Sequence, residues 1–541
     1  MSSGGTPPRQ PGSARETAGA SRPAPAPLPI QPAASARGWR WSHPAAISGL
    51  AATVGATIWI TFLPKVGTDL SAAVARAGWA RAYPGAAYLF SWYGGFHPAG
   101  YSLVAPYVLA AVGTRLAMFL AVVLSAILLT SLLVRHAVRW PTVAGLWVAV
   151  ALLTQLSAGR AAFALGLTAA IGCVTVVDVS KPRSAARLSS AAALALLTCL
   201  LSPVAALFLG LVAVVFIISG HWLEGVVVLI ATSAPFGVMA FYSDGGTQTV
   251  GPQNWIPPLV AVVVALILVP RRWRLVRIGT ALYGIAILIV WQWPSLIGSN
   301  IERLGELLAG PLLVGVASTR PRLLFALGLA AAAVWQVAQP IADLRQGNAP
   351  PYSPQTAALV RELRILRADT ARVEAVPQYG HWESQQLSSV VPLARGWERQ
   401  LDVERNPLFY GTVLTPAAYY RWLRYNAVRY VAISGARPDF AAVAESQLIR
   451  AGQPWLTPIW HNGYWTLYRV DGATPLASPP GAVARTTPAQ IVVRMSRAGS
   501  SVVRVRWSPL LSAPGATVRQ DGPWTRLIAR RPGLYTLSAS Y

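Results

Sequence analysis

The sequence predicts a polytopic α-helical membrane protein of about eleven spans, with an external C-terminal mixed α/β domain that ends in a small β-sandwich. Three observations carry this expectation. Of 541 residues, 54% are hydrophobic and only 12% are charged, which is too apolar and too long for one water-soluble domain. Apolar runs recur at the length a bilayer demands, roughly 20 residues for a hydrocarbon core about 30 Å thick. The acids are also placed unevenly, with seven of the 19 before residue 341 and twelve after it.

Residues 1–40 are rich in Pro, Ala, Ser, Gly and Arg, which predicts a disordered cytoplasmic tail with little to bury. The stretch does not read as a signal peptide, because the first apolar run starts only at Ala45 and no small-residue cleavage pattern follows it. That run, 45–63, is the first span, and Arg37 and Arg40 place its start in the cytoplasm. Within a membrane domain of residues 41–340, further spans fall near 115–134, 141–157, 160–178, 188–202 and 203–219. Five more fall near 222–242, 256–270, 275–293, 303–317 and 321–339. With eleven spans the basic clusters at 135–139, 181–187, 271–277 and 320–322 all lie on the cytoplasmic side, and residues 341–541 lie outside. Counting the apolar stretch 100–113 as a span would turn those clusters outward. It is therefore assigned to a long first external loop, 64–114, as an amphipathic or membrane-skimming helix.

Beyond Ile341 the composition becomes that of a soluble domain. Residues 341–478 are expected to form an external α/β domain, with a helix over 356–372, a strand over 428–433 and a helix over 438–451. A linker near Pro479 and Pro480 leads to a β-sandwich-like domain, 479–541, whose strand-like stretches are 491–494, 501–507 and 533–541. Lysine occurs only at Lys65 and Lys181, so 43 of the 45 cations are arginine. Such a bias follows genome composition as readily as function, and no nucleic-acid partner is expected. Cys173 and Cys199 lie in apolar runs and form no disulfide framework. No Cys or His cluster has zinc spacing and no glycine-rich loop carries the lysine of a P-loop, so no cofactor is expected.

The first external loop carries the chemistry. Asp69 stands just beyond the first span, followed by Arg76, Trp79, Tyr83, Tyr88 and the run Trp92-Tyr93-Gly-Gly-Phe-His97-Pro98. Asp69 also suits the N-cap of a helix beginning at Leu70, a role compatible with a catalytic one. Asp244, the other loop acid, sits in an Asp-Gly-Gly turn signal. Asp178 and Glu224 fall at cytoplasmic ends. Two arginines at the external ends of spans suit a phosphate, Arg160 and Arg303, since a guanidinium offers a planar fork of donors. The competing roles are snorkelling to the interface and, for Arg303, pairing with Glu302 and Glu306 at helical spacing. His381 and His461 stand alone among aromatics and read as structural.

At these loop residues the chain resembles the GT-C class of polytopic glycosyltransferases, which use polyprenyl-phosphate-linked sugars at the outer membrane face. Asp69 matches the acidic position that this class carries in its first external loop. The stretch His97-Pro98-Ala-Gly-Tyr-Ser-Leu-Val104 is similar to the His-Pro or Lys-Pro step of members like the protein mannosyltransferases and lipid A aminoarabinose transferases. A single Asp stands where many members have a paired acidic motif, so the resemblance gives no support to a divalent metal. The large outer domain looks more like that of actinobacterial arabinofuranosyltransferases, without a residue-level signature. The resemblance implies an inverting transfer from a polyprenyl-phosphate sugar donor to an envelope glycan, lipid or protein acceptor at the plasma membrane. Asp69 would be the catalytic residue, and Trp92, Tyr93, His97, Arg160 and Arg303 would bind substrate. A transporter is the first alternative, although the spans show no internal repeat and no acid near a midpoint. A non-catalytic envelope scaffold of the same fold is the second.

Overall fold

Small residues at helical spacing decide how the first helices approach each other. In α1 (Pro44–Thr61) the buried stripe includes Ser48, Ala52 and Ala56, and the Ser48 hydroxyl donates to the carbonyl of Gly145 on α5 (Pro141–Ser157) at 2.7 Å. Without large side chains between them the two backbones come close, as interfaces of membrane helices require. The structure, a computed structural model, describes residues 1–6, 43–63, 67–178, 182–316, 322–345, 354–411 and 413–541. Most of the expected N-terminal tail, together with Lys65, Lys181 and Arg320, lies outside the described residues.

The helical part continues with α2 (Leu70–Ala82), α3 (Ala105–Val112), α4 (Thr114–Arg135), α6 (Ala161–Val177), α7 (Ala185–Leu201) and α8 (Pro203–Ile218). It is completed by α9 (Trp222–Phe241), α10 (Pro252–Leu268), α11 (Arg274–Gln292), α12 (Glu302–Val316) and α13 (Arg322–Arg345). Outward faces are as apolar as the core: Leu50, Val54 and Ile58 on α1, Leu116, Leu120 and Leu124 on α4, and Ile285, Leu288 and Ile289 on α11 are all exposed. A surface of this kind is stable only against lipid, and the chain is a multi-pass membrane protein. Among the described residues four helices, α1, α4, α9 and α11, are long and apolar enough to cross a membrane alone. Helices α5, α6, α7 and α10 have 17 residues and α8 has 16, about 25 Å each at the α-helical rise. The segment 100–113 is no span, since α3 has only eight residues and packs on α2.

The connections gather at two ends of the bundle. At one end Asp69 meets the α5–α6 turn and Arg303, the Ser102 hydroxyl donates to the carbonyl of Leu201, and Gln248 bonds to Ser295. The other end holds the contacts of Arg135 with Asp178 and of Arg183 with Glu224. The turn between α7 and α8 is tight for an identifiable reason. Ser202 caps α8 by accepting from the Ala205 amide, with Pro203 at the first helical position.

After α14 (Pro354–Ile365) the chain forms a four-stranded sheet in the order β1-β2-β4-β3, of β1 (Arg372–Ala375), β2 (Val428–Ser434), β3 (Leu456–His461) and β4 (Trp465–Val470). The first pair is parallel and the others antiparallel. Helices α15 (Trp382–Gln386), α16 (Arg399–Arg405), α17 (Pro416–Tyr425) and α18 (Val443–Arg450) lie between the strands in sequence. The helix expected over 356–372 ends at Ile365, because Arg367 turns left-handed at φ 51° and brings Ala368 into the core. Strands β5 (Gly481–Thr487), β6 (Gln490–Met495), β7 (Gly499–Arg506), β8 (Ala516–Asp521), β9 (Trp524–Ala529) and β10 (Gly533–Ser538) form two three-stranded sheets, β10-β6-β5 and β7-β9-β8. Alternate residues, among them Ile491, Val493, Val503, Val505, Leu527 and Leu537, fill one core between them. The segment before Pro479 is packed rather than loose: Ser478 donates its amide to Val502, and Ala477 is buried.

Candidate active site

Two glycines let the segment carrying Asp69 lie directly on the α5–α6 turn. Gly67 and Gly159 have φ of 115° and 78°, and a Cβ on either would collide with the opposite backbone. The Asp69 amide accordingly donates to the carbonyl of Ala158 at 3.2 Å. Asp69 occupies the N-cap position of α2, yet its carboxylate makes no capping bond. The side chain instead accepts from Nη2 of Arg303 at 3.1 Å. Its side chain is 31% exposed while that of Arg303 is 12% exposed, so one partner faces solvent and the other is inside. The Arg303 guanidinium stands 5.2 Å from the Phe163 ring centroid, and its Nε is buried without a hydrogen-bond partner.

Arg160, at the start of α6, supports the same corner. Its Nη1 donates to Gln155 at 2.7 Å and to Glu306 at 2.8 Å, and its Nη2 lies 4.0 Å from Glu302. Gln155 also donates to Glu306 at 2.7 Å, and Asn254 donates to Glu302 at 2.9 Å. Tyr283 fixes the start of α12, donating to the carbonyl of Ile301 at 2.6 Å and accepting from the Gly305 amide at 3.1 Å. Both arginines are thus paired with carboxylates, Arg160 with Glu302 and Glu306 and Arg303 with Asp69. Glu302 and Glu306 pair across the bundle with Arg160, not along the helix with Arg303, which leaves Arg303 to Asp69. Among the described residues no three His, Cys, Asp or Glu side chains converge in a way that would hold a metal ion.

Asp69, Arg160 and Arg303 come together; the other three candidates do not join them. Trp92 is fully buried, donates from Nε1 to the carbonyl of Ser384 at 2.9 Å and stacks on Phe96. The Tyr93 hydroxyl accepts from the Glu398 amide at 3.0 Å and donates to the carbonyl of the same residue at 3.3 Å. His97 bonds Asp244 through Nδ1 at 3.0 Å and Ser508 through Nε2 at 2.8 Å. Asp244 in turn accepts from Arg405 at 3.0 Å, so its carboxylate ties loops to the C-terminal domain beyond making a turn. Trp92, Tyr93 and His97, expected to bind substrate, lie apart from that corner, where the first loop meets the C-terminal domain. An aromatic run in a loop fits either role, and only the surface opposite decides.

Sequence reasoning missed two arrangements. Arg76 on α2 donates to Glu398 at 2.6 Å. In the C-terminal domain Arg395 donates through Nε to Glu374 at 2.8 Å and through Nη2 to Glu445, and Tyr419 donates to Glu445 at 2.7 Å. Both join residues far apart in sequence and leave no local pattern. His381 stacks on Trp397 with ring centroids 3.4 Å apart, its Nε2 3.4 Å from Asp439, which Arg399 holds with two bonds of 2.9 and 2.7 Å.

No family model matches the sequence, and no curated protein matches it. Among solved structures the fold is similar to the cryo-EM structure of arabinofuranosyltransferase AftD from Mycobacteria, with a TM-score of 0.49 and 14% identity over 86% of this chain and 41% of that one. A mutant form of AftD has a TM-score of 0.43 and 13% identity, over 91% of this chain and 59% of its own. The chain thus spans less than two thirds of the length of either.

Proposed function

We propose that the protein is a membrane glycosyltransferase that moves a sugar from a polyprenyl-phosphate donor to a cell-envelope acceptor, with inversion at the anomeric carbon. In this reading the apolar helices make eleven passes, the N-terminus is cytoplasmic, and the C-terminal domain sits outside with the site. The observation that carries it is the Asp69–Arg303 pair, a carboxylate 31% exposed and held by one prong of a guanidinium whose Nε has no partner. A donor phosphate competes with Asp69 for that guanidinium and has the geometry to take two of its N–H groups. Arg303 then turns to the phosphate and frees the carboxylate. The acceptor hydroxyl gives its proton to Asp69 as its oxygen bonds to the anomeric carbon. The bond from that carbon to the phosphate oxygen breaks, and polyprenyl phosphate leaves with the electron pair, its added charge stabilised by Arg303. Arg160, neutralised by Glu302 and Glu306, holds the corner in shape.

The test is Asp69→Asn in purified protein supplied with a polyprenyl-phosphate sugar. The substitution keeps the shape but cannot take up the proton, and transfer should fall by about 10²- to 10⁴-fold at unchanged folded yield. Unchanged transfer at unchanged yield contradicts the reading.

A further inference from the structure

The face of α2 that begins with Asp69 continues to a second charged residue. Asp69 and Arg76 are seven positions apart, about 20° short of two full turns, and so share that face. The buried Arg76 guanidinium donates to Glu398 of the outer domain at 2.6 Å and lies 3.9 Å from the Tyr101 ring centroid. Tyr101 itself is 39% exposed, so the guanidinium backs one side of the ring and leaves another to solvent. Burial is the largest influence on its hydroxyl and raises its pKa, with smaller effects from Arg76, Asp69, Arg303 and Glu398. Glu398 is held in place by the two bonds between its backbone and Tyr93, and its carboxylate is 23% exposed.

An aromatic ring open to solvent, flanked by two partly exposed carboxylates that are each fixed by an arginine, has the chemistry of a carbohydrate subsite. The C–H face of a sugar ring packs on an aromatic face, and sugar hydroxyls donate to carboxylates, which only accept. A tyrosine serving merely as an interfacial anchor needs neither carboxylate.

We propose that Tyr101 and Glu398 form the acceptor subsite for a neutral sugar chain, Tyr101 stacking on the sugar that presents its hydroxyl to Asp69 and Glu398 accepting hydrogen bonds from its neighbouring hydroxyls. The outer domain thereby supplies part of the binding surface through Glu398. The proposal deepens the glycosyltransferase reading and rests on it for the direction the acceptor faces.

The test measures binding rather than turnover, on the full chain in lipid nanodiscs. The probe is the pool of neutral oligosaccharides released by mild acid from the envelope of the organism that makes the protein, followed by saturation-transfer NMR. The wild type should bind. Tyr101→Ala should weaken binding at least tenfold, while Tyr101→Phe, which keeps the ring, should bind within about twofold of wild type. Glu398→Gln should weaken it similarly, with melting temperature recorded to separate lost contacts from a loosened joint. Absence of binding by the wild type, or equal binding by Tyr101→Ala, overturns the subsite. Neither result bears on the loss of transfer in Asp69→Asn, so the two readings fail separately.

Discussion

Arg303 in the membrane half and Arg395 in the C-terminal domain are both arginines answered by carboxylates, and the difference between them separates the proposed site from a strut. Arg395 lies between Glu374 and Glu445 with all three side chains at most 1% exposed, and its guanidinium packs 3.7 Å from the Phe409 ring centroid. No solvent reaches that centre. Burial pushes Glu374 well above the usual carboxylate range against the pull of Arg395, which fits an oxygen of Glu374 that has no hydrogen-bond partner. Arg303 also leaves a nitrogen unpartnered, but its carboxylate opens to solvent. An ion pair alone therefore says little about function; an acid that can be reached while its partner stays inside says more.

Breaking the sealed centre should have the largest effect on folding. Arg395→Ala strands two buried carboxylates and should destabilise the protein by about 3–5 kcal/mol, measured by tryptophan fluorescence during denaturant unfolding. A loss below about 1 kcal/mol would mean that the centre is not sealed. Substitution at the open centre should act on function instead. Arg303→Lys should lower donor affinity by about tenfold, because an ammonium does not reproduce the fork, with little change in melting temperature. Arg160→Lys should cost less, as Arg160 is already neutralised. Equal and normal donor affinity in both would reduce the pair to structural anchors.

The smallest effect concerns His381. Burial disfavours its charged form, but Asp439 and Glu383 outweigh burial and raise its pKa above the ordinary histidine value. A raised pKa contributes stability that is complete below the unfolded histidine value and is lost as pH rises through the folded one. Between about pH 6 and 9 the melting temperature of the wild type should fall more than that of His381→Gln. Parallel curves would show that His381 does not carry charge in the fold.

Much of the helical half was legible because its signal is local. Apolar runs set by lipid and core reappear as helices with nearly the expected bounds, as in α5 and α10. The turns at Gly159 and Ser202 are likewise local, set by a left-handed glycine and a capping serine. Asp69, Arg160 and Arg303 could each be named from position and residue type, but their pairing could not. The Asp69–Arg303 bond joins residues 234 positions apart, whereas sequence offers only near neighbours along the helix, such as Glu306 three positions on. The contacts of Trp92, Tyr93 and His97 with the C-terminal domain were hidden for the same reason, since nothing local tells an aromatic that meets a sugar from one that meets another domain.

The central claim is that the Asp69–Arg303 pair opens for a donor phosphate. The most direct measurement is the cryo-EM structure of the Asp69→Asn variant with a polyprenyl-phosphate sugar added. The account predicts phosphate density within hydrogen-bonding distance of the Arg303 guanidinium and the anomeric carbon facing residue 69. Donor phosphate bound elsewhere on the protein, with Arg303 still turned toward residue 69, would contradict it.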